Sequence, residues 1–187
     1  MKVYFSSSLR AQKYYKKTFD LIFKYIKSLG YSHTSDFLIT ADPNKYYKDR
    51  FNFEKFYKVL TAQMKKASVC VFEVSLHSLG IGFCVDLALQ MGKPVVLLYK
   101  KGHNPIFFKG IRSEKLQLYE YQSDDDLKEV LKDALEIAKG MSDIRFTFFI
   151  NSKINQFLTW IAKVKKVPRA VYLRDLIQEA MKKEGFK

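Results

Sequence analysis

Apolar positions in the first 140 residues follow two periods that alternate along the chain. Residues 11–31 carry apolar side chains at helical spacing, as expected of an amphipathic helix that ends near Gly30. These positions are Tyr15, Phe19, Ile22, Phe23 and Ile26. A short run of apolar and β-branched residues, at residues 68–74, instead predicts a buried strand. Strands and helices are therefore expected in alternation.

The same two patterns continue as far as residue 140. Further helices are predicted over residues 52–67, 79–92 and 123–140, and further strands over residues 2–6, 94–99 and 116–121. Ser123 and three aspartates crowd the start of the last helix, where the helix dipole favours negative charge. Alternating strands and helices predict an α/β domain over residues 1–140, with a Rossmann- or flavodoxin-like parallel sheet covered by helices on both faces.

A second domain is predicted over residues 143–187, where the pattern changes. Residues 143–151 alternate, with Ile144, Phe146, Phe148 and Ile150 on one face and Arg145, Thr147 and Phe149 on the other. Two helices are predicted next, the first with Ser152 as its N-cap and the second with Pro168 at its first position. One strand and two helices are too small to enclose a core, so this domain is expected to dimerise.

The composition is that of a globular protein, with 48% hydrophobic and 28% charged residues. No apolar run is long enough to span a membrane, and the N-terminus does not resemble a secretory signal. Cys70 and Cys84 lack metal-ligand spacing, which favours reduced thiols in a cytoplasmic protein without a metal or cofactor. The net charge of +14 fits attraction to a polyanion, but also a solubility role or a lysine-rich genome.

Polar residues and glycines follow two of the predicted strands. They are Ser7, Ser8 and Arg10 after the first strand, and His77, Ser78, Gly80 and Gly82 after residues 68–74. Because the carboxyl ends of parallel strands share one edge of the sheet, these residues are expected to converge there. Hydroxyls, free helix N–H groups and one arginine suit a phosphate or a polyol. Taken singly, each feature also fits turn chemistry or close helix packing.

Residues 1 to about 140 resemble the nucleoside 2-deoxyribosyltransferase family, which includes the deoxynucleoside monophosphate N-glycosidases. The resemblance lies in the segments "VYFSSSLR", "ASVCVFEVS" and "HSLGIGFCVDLAL". It implies a nucleoside or nucleotide ligand and cleavage or exchange of the bond between deoxyribose and base. In that family a glutamate attacks the anomeric carbon of the sugar, and water or another base resolves the intermediate.

The resemblance places Cys84 at the position of that glutamate. The family's second acidic position, in the preceding helix, is also lost, since "YKVLTAQMKKA" holds no Asp or Glu. A helix N-terminus lowers the pKa of a thiol, so Cys84 could act as the nucleophile, although a thioglycoside resolves slowly. Cys84 could also be a substitution introduced for the native residue. Glu73 is expected to be structural, and Asp86 to lie on another helix face.

Residues 143–187 resemble the ribbon-helix-helix family of DNA-binding proteins, through "IRFTFFI", "NSKINQFL" and "VPRAVYLRDLI". The resemblance implies that two chains pair their strands into a ribbon that enters the major groove. Arg145, Thr147 and Phe149 would face the bases, and the helix start at Arg169 would face a phosphate. A dimerisation arm that binds no DNA is the alternative.

Three functional hypotheses remain open from the sequence. The first is a ligand-sensing regulator, in which a nucleotide bound to the main domain alters how a homodimeric tail holds DNA. The second is an active deoxynucleoside (monophosphate) N-glycosidase or deoxyribosyltransferase, whose tail assembles or localises it. The third is a structural dimer with a vestigial pocket.

Overall fold

The computed structural model describes residues 1–43, 52–141 and 148–186. The chain divides into two compact units, Met1–Arg145 and Phe146–Lys187. Among the described residues, no helix combines the length and apolar character that crossing a membrane requires.

The first unit is built on a five-stranded sheet in which every strand pair is parallel. The strands are β1 (Lys2–Ser7), β2 (Ser32–His33), β3 (Val69–Glu73), β4 (Val95–Lys100) and β5 (Leu116–Tyr121). Their order is β2-β1-β3-β4-β5, so the sequence prediction of a parallel sheet with β5 at its edge is confirmed. The two-residue β2 was missed, because it is too short to show a period.

Longer helices of this unit follow the predicted pattern. The helices among its described residues are α1 (Gln12–Ser28), α2 (Phe37–Thr40), α3 (Phe53–Lys66), α4 (Leu79–Gln90), α5 (Ile106–Lys109) and α6 (Asp124–Gly140). The single-turn helices α2 and α5 were not predicted. Gly30 and Gly92 follow the ends of α1 and α4 with φ of 80° and 70°, a conformation that favours glycine and that confirms both helix ends.

Helices cover both faces of the sheet, and each face has its own hydrophobic core. On one face, side chains of α1 and α6 such as Ile22 and Leu131 pack against β1, β3 and β4. On the other face, Met64 of α3 and Val85 of α4 pack against Phe72 and its neighbours. The strands are buried on both sides, which explains their nearly continuous apolar sequences.

The strand order reverses between β1 and β3, which are neighbours in the sheet. The chain passes from β1 to β2 on one side and later enters β3 on the other side, with Ser7 in register with Glu73. Parallel α/β sheets hold ligands at the carboxyl ends of the strands beside such a reversal. The residues predicted to converge lie at this edge.

The second unit contains two helices, α7 (Ser152–Lys165) and α8 (Arg169–Lys183). Both helices were predicted, but their first residues differ by one position. Asn151, not Ser152, is the N-cap of α7, because its side-chain oxygen accepts the N–H of Ile154 at 2.9 Å. Pro168 is the N-cap of α8, so it precedes the helix instead of opening it.

The strand predicted at residues 143–151 lies largely outside the described residues, including Ile144, Arg145, Phe146 and Thr147. Its described part, residues 148–151, forms no strand in the single chain. Phe149 is fully exposed there. Arg169 donates from its guanidinium to Asn155 Oδ1 at 2.9 Å, which ties the start of α8 to α7.

Candidate functional site

A cavity of about 330 Å³, here called the inner cavity, opens at the carboxyl edge of the sheet between β1 and β3. The structure brings together at this cavity six of the residues singled out in the sequence. They are Ser7, Ser8, Arg10, Ser78, Gly80 and Cys84. Ser7 ends β1 and Ser8 and Arg10 follow it, while the others belong to the first two turns of α4 and the residue before it, so the expected convergence of the two segments is observed.

Ser7 at the end of β1 and Ser8 directly after it have different roles. The Ser7 hydroxyl is buried and donates to the main-chain carbonyl of Glu73 at 2.7 Å, so its proton holds β1 against β3. Ser8 is also buried, and it precedes the 3₁₀ turn Leu9–Ala11 without capping that turn through its side chain. Ser8 is therefore better placed than Ser7 to donate a hydrogen bond to a ligand.

The start of α4 presents a hydroxyl and a glycine to the inner cavity. Ser78 caps the helix, and its oxygen accepts the N–H of Ile81 at 3.5 Å, which leaves the hydroxyl proton able to donate. Gly80 lines the cavity, and a Cβ built on it would come no closer than 3.9 Å to a described atom, Ser78 Oγ. Gly82 is not among the described residues that line the cavity, so the close approach predicted for both glycines fits Gly80 alone.

Arg10 and His77 point to a second, adjoining space. A cavity of about 740 Å³, here called the outer cavity, shares Leu9 and Arg10 with the inner cavity. His77 lines the outer cavity and is not among the described residues lining the inner one. The arginine therefore lines both adjoining cavities, whereas the histidine lines the outer one.

Cys84 lines the inner cavity from the second turn of α4 and is 6% exposed. Burial raises the pKa of its thiol to about 11. The direction is opposite to the lowering expected from the helix N-terminus, and its cause is desolvation of the thiolate. The thiol is therefore neutral near pH 7.

Glu73 ends β3 and is not among the described residues that line either cavity. Its side chain is fully buried, and its Oε1 accepts hydrogen bonds from the Tyr121 hydroxyl at 3.0 Å, the Ser75 N–H at 3.2 Å and the Ser75 hydroxyl. Burial raises the pKa of this carboxyl group. These contacts fit the structural role expected of Glu73. Asp86 is exposed and accepts from Gln90 within its own helix.

An aromatic wall of the inner cavity was not foreseen as part of a site. It consists of Tyr4, Phe37, Phe53 and Phe56. Phe37 and Phe56 lie 4.9 Å apart between ring centroids, which joins α2 to α3. The sequence assigned Phe53 and Phe56 to the apolar face of a helix, and no local signal distinguishes a face that lines a cavity from one that fills a core.

Two known proteins are similar to this chain in sequence. The chain is 28% identical over 138 residues to a protein of Syntrophotalea carbinolica and 29% identical over 142 residues to one of Thermofilum pendens. Both carry the name "Putative 2′-deoxynucleoside 5′-phosphate N-hydrolase 1". Each match covers 72% of this chain, and 94% and 95% of the respective relatives. No family model matches the chain.

A solved structure shares the fold of the chain. The CMP N-glycosidase BcmB of Clostridium botulinum matches with a TM-score of 0.51 and 16% identity, over 71% of this chain and 98% of that one. This structure supports an α/β fold for the chain. The names of the two relatives agree with the resemblance of the sequence to the nucleoside 2-deoxyribosyltransferase family.

Proposed function

We propose that the domain over residues 1–141 binds a 5′-deoxynucleotide in the inner cavity and cleaves its glycosidic bond slowly or not at all. The observation that carries this proposal is the chemistry of the lining. Among the described residues that line the inner cavity, hydroxyls, aromatic rings and one arginine occur, but no Asp or Glu. The names of the two relatives motivate the choice of a deoxynucleoside 5′-phosphate.

Two kinds of lining residue in the inner cavity suit the two ends of a nucleotide. The aromatic residues provide ring faces such as Phe56, on which a base can stack. Ser8, Arg10 and Ser78 provide hydrogen-bond donors that suit a phosphate or a sugar hydroxyl. A volume of about 330 Å³ is in the range of cavities that hold one small ligand.

The chemistry of bond cleavage explains why binding is favoured over turnover. Breaking the bond between base and sugar builds positive charge on the sugar, which a carboxylate stabilises or attacks as a nucleophile. Cys84 lines the cavity at the position that the family resemblance gives to the glutamate. Its thiol is neutral near pH 7, because burial raises its pKa to about 11, so it neither offsets that charge nor attacks as a thiolate.

The second candidate is an active deoxynucleoside monophosphate N-hydrolase, which the names of the two relatives favour. It requires a carboxylate beyond the described lining residues, or a thiolate at Cys84. Base release by the wild-type chain separates this candidate from the binding protein.

Chromatography of free base, paired with calorimetry of binding, tests the proposal. Wild type, Cys84→Glu and Cys84→Ser are each incubated with a panel of deoxynucleosides and their monophosphates. We expect wild type and Cys84→Ser to bind a monophosphate without releasing base, and Cys84→Glu to release it. Cys84→Asp covers the case in which glutamate is too large for the site. An enzyme-like rate in wild type that Cys84→Ser abolishes would establish the second candidate instead.

For the second unit, we propose a homodimer that binds DNA and responds to the nucleotide in the main domain. Residues 143–187 hold ten Lys or Arg and four Asp or Glu, a net charge of +6. The described residues of this unit bury Leu158 and Ile161 but leave many large apolar side chains exposed, as a half-built core would. These are Phe148, Phe149, Ile150, Ile154, Phe157, Trp160, Val164, Leu176, Ile177, Met181 and Phe186.

Light scattering and DNA binding by the full chain test this second part. We expect a dimeric mass and a DNA affinity that falls with salt and changes when the nucleotide is added. Arg145→Ala should weaken DNA binding, whereas Lys24→Ala, which removes the same charge from α1 of the main domain, should not. A DNA affinity that stays the same when the nucleotide is added would contradict the sensing role. A monomeric mass would contradict the dimer.

A further inference from the structure

The outer cavity adjoins the inner cavity and differs from it in charge and size. At about 740 Å³ it has more than twice the volume of the inner cavity, with which it shares Leu9 and Arg10. Its lining includes Arg10, Lys13 and His77, and no Asp or Glu occurs among its described lining residues. A ligand phosphate at Arg10 therefore stands at the entrance to a second, electropositive space.

The backbone explains why these groups face one space. The 3₁₀ turn Leu9–Ala11 leads directly into α1. Arg10 and Lys13 are three residues apart, about one helical turn, so they lie side by side on one face. The Gln12 side chain donates to the Leu38 carbonyl at 2.5 Å, which fixes the start of α1 against α2. His77 comes from the segment between β3 and α4 on the other side of the strand reversal.

The cations of the outer cavity are not neutralised by described partners. None of the ion pairs between described residues involves Arg10 or Lys13. The Lys13 ammonium lies 5.5 Å from the ring centroid of Tyr14, and this ring is 68% exposed and also lines the cavity. The outer cavity thus combines two positive charges with an aromatic surface, the pair of features that binds nucleotides without sequence preference.

We propose that the natural ligand is a nucleotide extended at its 5′ phosphate by a further phosphate-bearing group, and that the outer cavity holds this extension. This inference rests on the proposed function, since the inner cavity must first hold the nucleoside and its first phosphate. Two sources share the chemistry: a nucleoside di- or triphosphate, and the linked nucleotide of a short oligonucleotide. Lys13 and His77 contact the extension, and Arg10 contacts the first phosphate.

Calorimetric titration of the full chain, in EDTA to remove divalent cations, tests the inference with three ligands. They are a deoxynucleoside monophosphate, the corresponding triphosphate, and a dinucleotide with the added nucleotide joined through that 5′ phosphate. We expect at least one extended ligand to bind about tenfold tighter than the monophosphate, the equivalent of about one extra charge-assisted contact. The triphosphate and dinucleotide arms distinguish a polyphosphate from a phosphodiester.

Two variants of residues outside the inner cavity test where the extended part of the ligand binds. Lys13→Ala should reduce the preference for the extended ligand to about twofold or less and leave monophosphate affinity unchanged. Lys24→Ala removes the same charge from an exposed position farther along α1 and should preserve the preference. Equal affinity for all three ligands would overturn the inference and leave the proposed function standing. Failure of every ligand to bind would overturn both.

Discussion

The Tyr121 hydroxyl donates a hydrogen bond of 3.0 Å to Oε1 of Glu73, which links β5 to β3 across the intervening strand β4. Ser75 donates to the same oxygen from its N–H and its hydroxyl, and the Ser75 oxygen accepts the N–H of Lys100. Oε2 of Glu73 has no hydrogen-bond partner among the described residues. A neutral carboxyl group tolerates this environment far better than a carboxylate.

The pH dependence of stability should reveal the raised pKa of Glu73. Burial raises its folded-state pKa above the unfolded value of about 4.3. Its contribution to stability is therefore fully present below about pH 4 and is lost as pH rises through the folded-state pKa. Glu73→Gln keeps a neutral group and should lack this loss. The unfolding free energy of the variant should gain on wild type by up to about 1.4 kcal/mol per pH unit in that window.

Urea denaturation of both proteins at a series of pH values from 4 upward measures this difference. Parallel curves for wild type and Glu73→Gln would show that the folded-state pKa of Glu73 is not raised. Tyr121→Phe removes one donor to Oε1, which keeps its two hydrogen bonds from Ser75, and should cost about 0.5–1.5 kcal/mol of unfolding free energy.

Gly80 and Gly82 offer a matched pair that separates ligand binding from helix stability. Both lie within α4, where replacing glycine by alanine stabilises a helix by up to about 1 kcal/mol. The Cβ of Gly80→Ala enters the inner cavity and should weaken nucleotide binding by about fivefold or more. Gly82→Ala should be as stable as Gly80→Ala but should bind the nucleotide with the affinity of wild type. Thermal melts and calorimetry measure both effects, and equal binding by the two variants would place the ligand away from α4.

The reactivity of Cys84 toward iodoacetamide should report both its pKa and its position. With a pKa of about 11, the native thiol should react slowly at pH 7 and roughly tenfold faster per pH unit above it. A bound nucleotide should slow the reaction, because Cys84 lines the inner cavity. Cys70 is fully buried, its pKa is raised to about 12, and it serves as an internal control. Mass spectrometry follows each thiol, and rapid labelling of Cys84 at pH 7 would restore it as a candidate nucleophile.

Replacing Asn151 should loosen the start of α7 more than replacing its neighbour. Asn151→Ala removes the side chain that accepts the Ile154 N–H and should cost the helix about 1 kcal/mol. Ser152→Ala leaves this cap intact and should have little effect. Hydrogen exchange of the α7 amides gives the readout, with faster exchange expected for Asn151→Ala alone. Faster exchange in Ser152→Ala alone would instead make Ser152 the cap.

The sequence alone determined the order of the longer elements in the first unit and the edge at which candidate residues meet. Helical and strand periods are local properties, so α1, α3, α4 and α6 and the buried strands could be predicted before any contact was known. The ends of α1 and α4 were also predicted correctly from Gly30 and Gly92. The positive φ that follows a helix end is a property of one residue, so the sequence reveals it. The convergence of Ser8, Arg10 and Ser78 followed from the parallel sheet.

Tertiary structure decided what the converging residues can do. Phe37, Phe53 and Phe56 form a cavity wall only because α2 and α3 meet over the sheet, and residues distant in sequence carry no local signal of such a contact. Burial raises the pKa of Cys84, and this burial depends on how much water the surrounding helices and strands exclude. The local period of apolar residues determines each helix and strand. Burial and charge at a site depend instead on packing among segments that are distant in sequence.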